Sequence, residues 1–166
     1  YLVRNLAGSF FIAFIVVTLL MVILFRSVKM ALISVVPNLI PMLIMAAVMG
    51  FFQVSLRPST AMTFAIAFGI AVDDTLHYLT RYRMELSDRH YQKANDATMM
   101  STGVAMMSTT AILVSGFMVL TLSEFTFSIQ FGILSSITIL SALIGDLTFL
   151  PALLSQVKPE IKRLKK

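Results

Sequence analysis

The chain has 166 residues, of which 58% are hydrophobic and 13% charged, and its mean hydropathy of +0.90 lies outside the range of ordinary water-soluble domains. The absence of cysteine excludes disulfides and thiolate metal ligands. Only helices and closed barrels satisfy the backbone in lipid, and the long unbroken apolar runs lack the alternation of barrel strands. The composition therefore predicts an all-α, polytopic transmembrane helix bundle.

Apolar runs of about 20 residues, the length needed to cross the hydrocarbon core, follow one another along the chain. We expect five spans, at about residues 7–25, 30–52, 59–78, 104–122 and 126–154. The segment 80–102 mixes charged and apolar side chains with the spacing of an amphipathic interfacial helix in a cytoplasmic loop. Residues 155–166 form a basic cytoplasmic tail. Because no internal repeat or low-complexity linker divides the sequence, we treat 1–166 as one membrane domain.

The 13 Lys and Arg residues indicate an orientation. All of them except Arg4 and Arg57 lie in three regions: the connection between the first two spans (Arg26 and Lys29), the segment 80–102 and the tail. In a chain with five spans these three regions share one side of the membrane. The positive-inside rule places that side in the cytoplasm, so we expect the amino terminus outside. The basic tail then serves as a topology signal, and the net charge of +5 requires no nucleic-acid partner.

Two prolines interrupt the second span. Pro37 and Pro41 are one turn apart, with Asn38 between them, and each proline removes a backbone donor and clashes with the preceding turn. We expect this helix to be kinked or locally unwound. Broken helices line the substrate paths of several transporters, but prolines also occur in ordinary transmembrane helices, so both interpretations stay open.

Acidic residues at membrane depth are the first candidates for function, because each costs about 2.5 to 3.5 kcal/mol on insertion scales. Asp73 and Asp74 lie in the third span and Asp146 in the fifth. His77 follows Asp73 by four residues and Asp74 by three, so one of the two carboxylates shares its helix face. An imidazole beside a carboxylate in a low dielectric can handle protons. Alternatively, His77 and Asp74 simply reach interfacial water at the end of the span.

Small and hydroxylated residues surround these acids. Gly69 and Ala71 leave room for a neighbouring helix to approach the third span near Asp73, as small residues do in membrane bundles. Thr109 and Thr110 begin the fourth span within a group of hydroxyl residues. We expect most of these hydroxyls to bond to their own helix carbonyls, with Thr109 or Thr110 as candidates for a polar relay.

Several motifs occur in the order of one known family. Residues 69–83, GIAVDDTLHYLTRYR, resemble the signature of the resistance-nodulation-division superfamily in its hydrophobe/amphiphile exporter-3 and mycobacterial-membrane-protein-large (MMPL) branch. The segments 36–41 (VPNLIP), 130–132 (QFG) and 145–154 (GDLTFLPALL) support the resemblance.

The resemblance implies a secondary active transporter, not an enzyme, that uses the proton-motive force to export lipids or other hydrophobic molecules. Asp73 would be the relay acid, Asp74 and His77 would assist it, and Asp146 would be structural or a relay support. The five spans resemble the last five of one half of the parent, most closely the carboxyl-terminal half.

The same resemblance implies the surroundings of the chain. The expected location is the bacterial inner membrane, and the expected partners are membrane lipids, the hydrophobic substrate, the other half and extracytoplasmic domain of the same parent chain, and further copies in a homo-oligomer. No cofactor and no metal are expected.

Other functions remain open on the sequence alone. A Patched-like sterol- or lipid-sensing module would use the same bundle without pumping, and a structural assembly subunit would use it for packing alone. An intramembrane diaspartyl protease requires a Gly-x-Gly-Asp motif before Asp146, where Leu143 replaces the first glycine. Zinc bound by Asp73 and His77 lacks further ligands, since His90 lies in the segment 80–102.

Overall fold

The computed structural model describes residues 2–55, 57–88 and 90–157, and within these residues it contains helices and turns but no strand. The all-α bundle predicted from composition is thus confirmed. In chain order the helices are α1 (Leu2–Phe25), α2 (Val28–Phe51), α3 (Pro58–Asp88), α4 (Tyr91–Thr98), α5 (Val104–Val119) and α6 (Thr126–Val157). A π-helical turn, Met99–Gly103, joins α4 to α5, and a 3₁₀ turn, Leu120–Leu122, ends α5.

Helix α6 is the centre of the bundle, since it packs along α2, α3 and α5. Helix α1 lies against α2, and α4 lies against α3. The largest apolar cluster joins the end of α1 to the later turns of α3 and α6, with Phe25, Tyr78, Leu79, Tyr82 and Leu150 among its buried members. Burial of such side chains against one another holds the helix ends together at this end of the bundle.

Apolar and polar side chains are distributed in the bundle as in a protein surrounded by lipid. Large apolar side chains such as Ile12, Leu43 and Ile112 point outward, more than 60% exposed. The buried residues include many hydroxyl groups. Within the described residues, Val28–Phe51, Tyr91–Leu122 and Thr126–Val157 are long and apolar enough to cross a membrane, and Phe11–Phe25 is a shorter apolar helix. The chain is therefore a multi-pass membrane protein.

Helix α3 differs from the predicted third span. It continues ten residues beyond the predicted end at Tyr78, to Asp88. An ion pair one turn apart stabilises this charged part of the helix, with 2.6 Å between a guanidinium nitrogen of Arg81 and a carboxylate oxygen of Glu85. The segment 80–102, predicted to contain an amphipathic interfacial helix, is helical over most of its length, in the end of α3, in α4 and in the π-helical turn. Asp73, Asp74 and His77 lower the mean hydropathy of α3, so its crossing of the membrane stays a prediction.

The charges used to predict orientation are only partly described. The lysines and arginine of the basic tail, 158–166, lie outside the described residues, as does the side chain of Arg4. The orientation of the chain therefore stays a prediction.

Two glycines of α6 permit close helix contacts. A Cβ atom on Gly132 would lie 2.5 Å from the carbonyl oxygen of Phe117 in α5. A Cβ atom on Gly145 would lie 3.6 Å from the carbonyl oxygen of Pro37 in α2. The first contact has no room for a larger residue, whereas the second is at ordinary van der Waals distance.

The prolines of α2 do not unwind it. The helix runs without interruption from Val28 to Phe51 with Pro37 and Pro41 inside it. Of the two predicted alternatives, local unwinding is therefore absent from the described helix, and a kink stays a prediction. Between the two prolines, the side-chain amide of Asn38 donates to the carbonyl of Ser34 at 2.7 Å.

Candidate functional site: an acidic groove between two helices

An open groove of about 1160 Å³ separates α3 from α5. One wall belongs to α3, and the other belongs to the π-helical turn and the first half of α5. Its polar and charged lining residues are Asp73, Asp74, His77, Thr80, Arg81, Ser101, Thr102 and Thr109. Its apolar lining includes Ile70, Met84, Met106, Ile112 and Leu113. The groove thus combines ionisable groups with flexible apolar surface.

Asp73 and His77 face each other in this groove. The Nε2 atom of His77 is 3.6 Å from the Oδ1 atom of Asp73, and the two side chains are 67% and 65% exposed. Of the two carboxylates that the spacing left open, Asp73 is therefore the one on the face of His77. Asp74 lines the same groove but is half-buried. The structure brings the three predicted residues together on one wall.

The glycine of the motif does not play the predicted packing role within the described residues. Gly69 lines the groove, and a Cβ atom there would meet nothing within 4 Å. No helix among the described residues packs on Gly69, so its predicted packing role stays a prediction. Ala71, by contrast, is buried, because it lies on the opposite side of α3 from the groove.

The two threonines of α5 point to different places. The hydroxyl of Thr109, on the groove wall, donates to the carbonyls of Ala105 and Met106 at 3.2 and 3.0 Å. Thr110 is buried, and its hydroxyl has no partner among the described residues. Ser101 and Ser108 also bond to carbonyls of the preceding turn, as expected. Within the described part of the chain, neither Thr109 nor Thr110 hydrogen-bonds to an acid, so their relay role stays a prediction.

Asp146 lies apart from the groove, in the interior. It is 1% exposed, and its Oδ1 atom accepts a hydrogen bond of 2.8 Å from the hydroxyl of Thr75. The same hydroxyl lies 3.3 Å from the Oδ1 atom of Asn38. Because Asp146 is paired with a hydroxyl and not with a second carboxylate, the geometry does not support a diaspartyl protease.

The contact of Thr75 with Asp146 was not predicted from the sequence. Thr75 lies two positions after Asp73, which places it on the opposite face of α3 and points it into the bundle. The signal was present as the third residue of the Asp-Asp-Thr triplet, but its partner on α6 could not be inferred before the packing of α3 against α6 was known.

Metal binding at the groove finds no support in the structure. Among the described residues there is no group of three or more His, Asp or Glu side chains that could hold a metal ion. His90 is the residue before α4, and its ring contacts the ring of Tyr91 edge-on, with ring centroids 5.6 Å apart. It is not among the residues of the groove.

The fold and the groove define a helical membrane protein with ionisable groups on an otherwise apolar bundle. Comparison with known families makes this class more specific, since the model of the MMPL family matches residues 3–160. The chain belongs to the MMPL family, a family of membrane transporters.

One relative comes from an archaeon. The chain is 29% identical over 154 residues to the "Putative membrane protein MJ1562" of Methanocaldococcus jannaschii. The match covers 90% of this chain and 40% of the relative. The chain therefore spans about two fifths of the length of that relative.

Proposed function

We propose that this chain is the membrane part of an exporter that uses the proton-motive force to move lipids or other hydrophobic molecules outward. The observation that carries the proposal is the groove between α3 and α5, which is lined by Asp73, Asp74 and His77 of α3. The chain belongs to a family of membrane transporters, which supports the proposal. Intramembrane ionisable groups are typical of proton relays in pumps and transporters.

The proposed mechanism begins with proton exchange between water in the groove and Asp73. His77 lies 3.6 Å away and can share the proton or stabilise the carboxylate when the imidazole is protonated. Asp74 extends the ionisable wall toward the interior of the bundle, where it is half-buried. Asp73 and Asp74 therefore offer a proton a short path from an exposed carboxylate to a less exposed one.

Protonation changes which packing of α3 is favourable. A charged carboxylate at membrane depth costs about 2.5 to 3.5 kcal/mol, whereas the neutral acid costs less. Each proton that binds would then favour closer contact of the groove wall with neighbouring helices, and each proton released would favour exposure to water. Movement of α3 between these arrangements would couple the proton gradient to transport.

The remaining parts of the proposal concern the surroundings. We place the chain in the cytoplasmic membrane of a bacterium, with the amino terminus outside and the carboxyl terminus inside. The substrate-handling extracytoplasmic domain and the other half of the membrane domain would come from the same parent chain, and the parent would act alone or as a homo-oligomer.

The experiment is export of a fluorescent hydrophobic dye from cells that express the full-length parent, with and without a protonophore. The Asp73→Asn variant keeps the size of the side chain and removes its titration. Glu124→Gln is the matched control, because Glu124 is exposed in the turn between α5 and α6, at the other end of α5 from the π-helical turn. We expect Asp73→Asn to reduce export to the level of cells without the protein, and the control to export normally. Protonophore-sensitive export by Asp73→Asn at equal expression would exclude the proposal for this residue.

A further inference from the structure

A second polar site lies inside the bundle, where α2, α3 and α6 meet. Asn38, Thr75 and Asp146 are 4%, 0% and 1% exposed, respectively. Side-chain oxygen atoms of Asn38 and Asp146 lie 3.3 and 2.8 Å, respectively, from the Thr75 hydroxyl. We call this group, with the carbonyl of Pro37, the oxygen cluster.

The oxygen cluster has more acceptors than donors. The single hydroxyl hydrogen of Thr75 faces three acceptors, namely Asp146 Oδ1, Asn38 Oδ1 and the carbonyl of Ala71 at 3.1 Å. The amide of Asn38 donates elsewhere, to Ser34. The Oδ2 atom of Asp146 is buried and has no hydrogen-bond partner among the described residues.

The proline pattern of α2 adds a further acceptor. Pro41 has no N–H group, so the carbonyl of Pro37 lacks the donor that an α-helix normally supplies from four residues on. This carbonyl faces α6, 3.6 Å from the place of a Cβ atom on Gly145, the residue before Asp146 in the chain.

A buried carboxyl group either takes up a proton or needs a positive partner, because the desolvation of an isolated charge is very costly. The ion pairs found among the described residues, Asp73–His77 and Arg81–Glu85, do not involve Asp146. A carboxylate with neutral amide, hydroxyl and carbonyl oxygens is a hard-oxygen ligand set with one negative charge. That charge matches a monovalent cation, whereas Ca²⁺ sites usually gather several carboxylates.

We propose that Asn38, Thr75, Asp146 and the carbonyl of Pro37 form a buried binding site for a sodium ion. Backbone carbonyls freed from helix hydrogen bonding coordinate such ions in other transporters. The bound ion would join α2, α3 and α6 and so stabilise their packing. This proposal does not depend on the role of the groove, because none of these four residues lines it.

The test is binding of radioactive sodium to the purified full-length protein in detergent, over a range of pH values and with choline replacing sodium at constant ionic strength. We expect saturable binding by the wild type and none by Asp146→Asn. Thr75→Val removes one oxygen at nearly constant volume, and we expect its sodium affinity to fall by about 10- to 100-fold. Asp73→Asn is the control from the groove and should bind sodium like the wild type.

Folding is checked by size-exclusion chromatography and thermal unfolding without sodium. If Asp146→Asn does not fold, Thr75→Val decides the question. The proposal is overturned if the wild type shows no saturable binding at any pH, which would mean that the site takes only a proton. Unchanged binding by folded Asp146→Asn or Thr75→Val would overturn it as well. Loss of sodium binding in Asp73→Asn would also contradict a site separate from the groove.

Discussion

Asp73 and Asp74 are neighbours in the chain but lie in different environments, since the side chain of Asp73 is 65% exposed in the groove and Asp74 is half-buried. The difference follows from the helix, in which consecutive side chains are about 100° apart. The Asp73 side chain therefore points into the groove, while the Asp74 side chain lies between the groove and the interior of the bundle.

Water in the groove can be tested by thiol labelling, because this chain contains no native cysteine. In a cysteine-free full-length protein, we expect Thr109→Cys on the groove wall to react with a charged, membrane-impermeant thiol reagent. Leu43→Cys should not react, since Leu43 is 67% exposed on the outer, apolar face of α2, where lipid keeps the thiol protonated and inaccessible. Equal labelling of the two variants would mean that the groove is not an aqueous path.

The contact of α5 with α6 at Gly132 predicts a stability effect. A Cβ atom there would approach the carbonyl oxygen of Phe117 to 2.5 Å, so the backbones must move apart in Gly132→Ala. We expect a loss of about 1 to 3 kcal/mol in unfolding free energy, as for other overpacked sites. Gly116→Ala is the matched control, because a Cβ atom there meets no atom of the described residues within 4 Å. Unfolding in detergent and denaturant measures both, and equal stabilities would show that the contact is looser than described.

Asn95 of α4 connects α3 to α6. Its side-chain oxygen accepts a hydrogen bond of 3.1 Å from the Tyr78 hydroxyl, and its amide donates to the carbonyl of Pro151 at 3.4 Å. Asn95→Ala leaves the fully buried Tyr78 without this acceptor, at a cost of about 1 to 3 kcal/mol. The exposed Gln92 on the same helix provides the control, Gln92→Ala.

A double-mutant cycle tests the Asn95 contact itself. If the hydrogen bond is the cause, Asn95→Ala should cost less in a Tyr78→Phe background, with a coupling of about 0.5 to 3 kcal/mol. Additive losses in unfolding free energy would assign the effect of Asn95→Ala to the contact with Pro151 or to α4 itself.

The sequence was sufficient for the class of protein but not for the ends of α3. Hydropathy detects where side chains face lipid, and it falls at Tyr78 because Arg81 and Arg83 follow. The helix continues because Leu79 and Tyr82 are buried in the apolar cluster and Arg81 pairs with Glu85. The fall in hydropathy therefore indicated where the apolar span ends, but not that the same helix continues to Asp88.

The site was also only partly predictable. The spacing of Asp73 and His77 sufficed to predict that one carboxylate shares the histidine face, because that relation is local to one helix. The contact of Thr75 with Asp146 joins residues 71 positions apart, so it depends on how α3 packs against α6. Local patterns predict faces of helices, and only the fold determines which faces meet.

The most direct test of proton-coupled export by the groove acids is transport in vesicles that contain the purified full-length protein. A fluorescent phospholipid analogue serves as substrate, and a pH gradient is imposed across the membrane with the membrane potential clamped. We predict gradient-dependent movement of the analogue by the wild type and Glu124→Gln, and none by the double variant Asp73→Asn, Asp74→Asn. Gradient-dependent movement at the wild-type rate in the folded double variant would contradict the account.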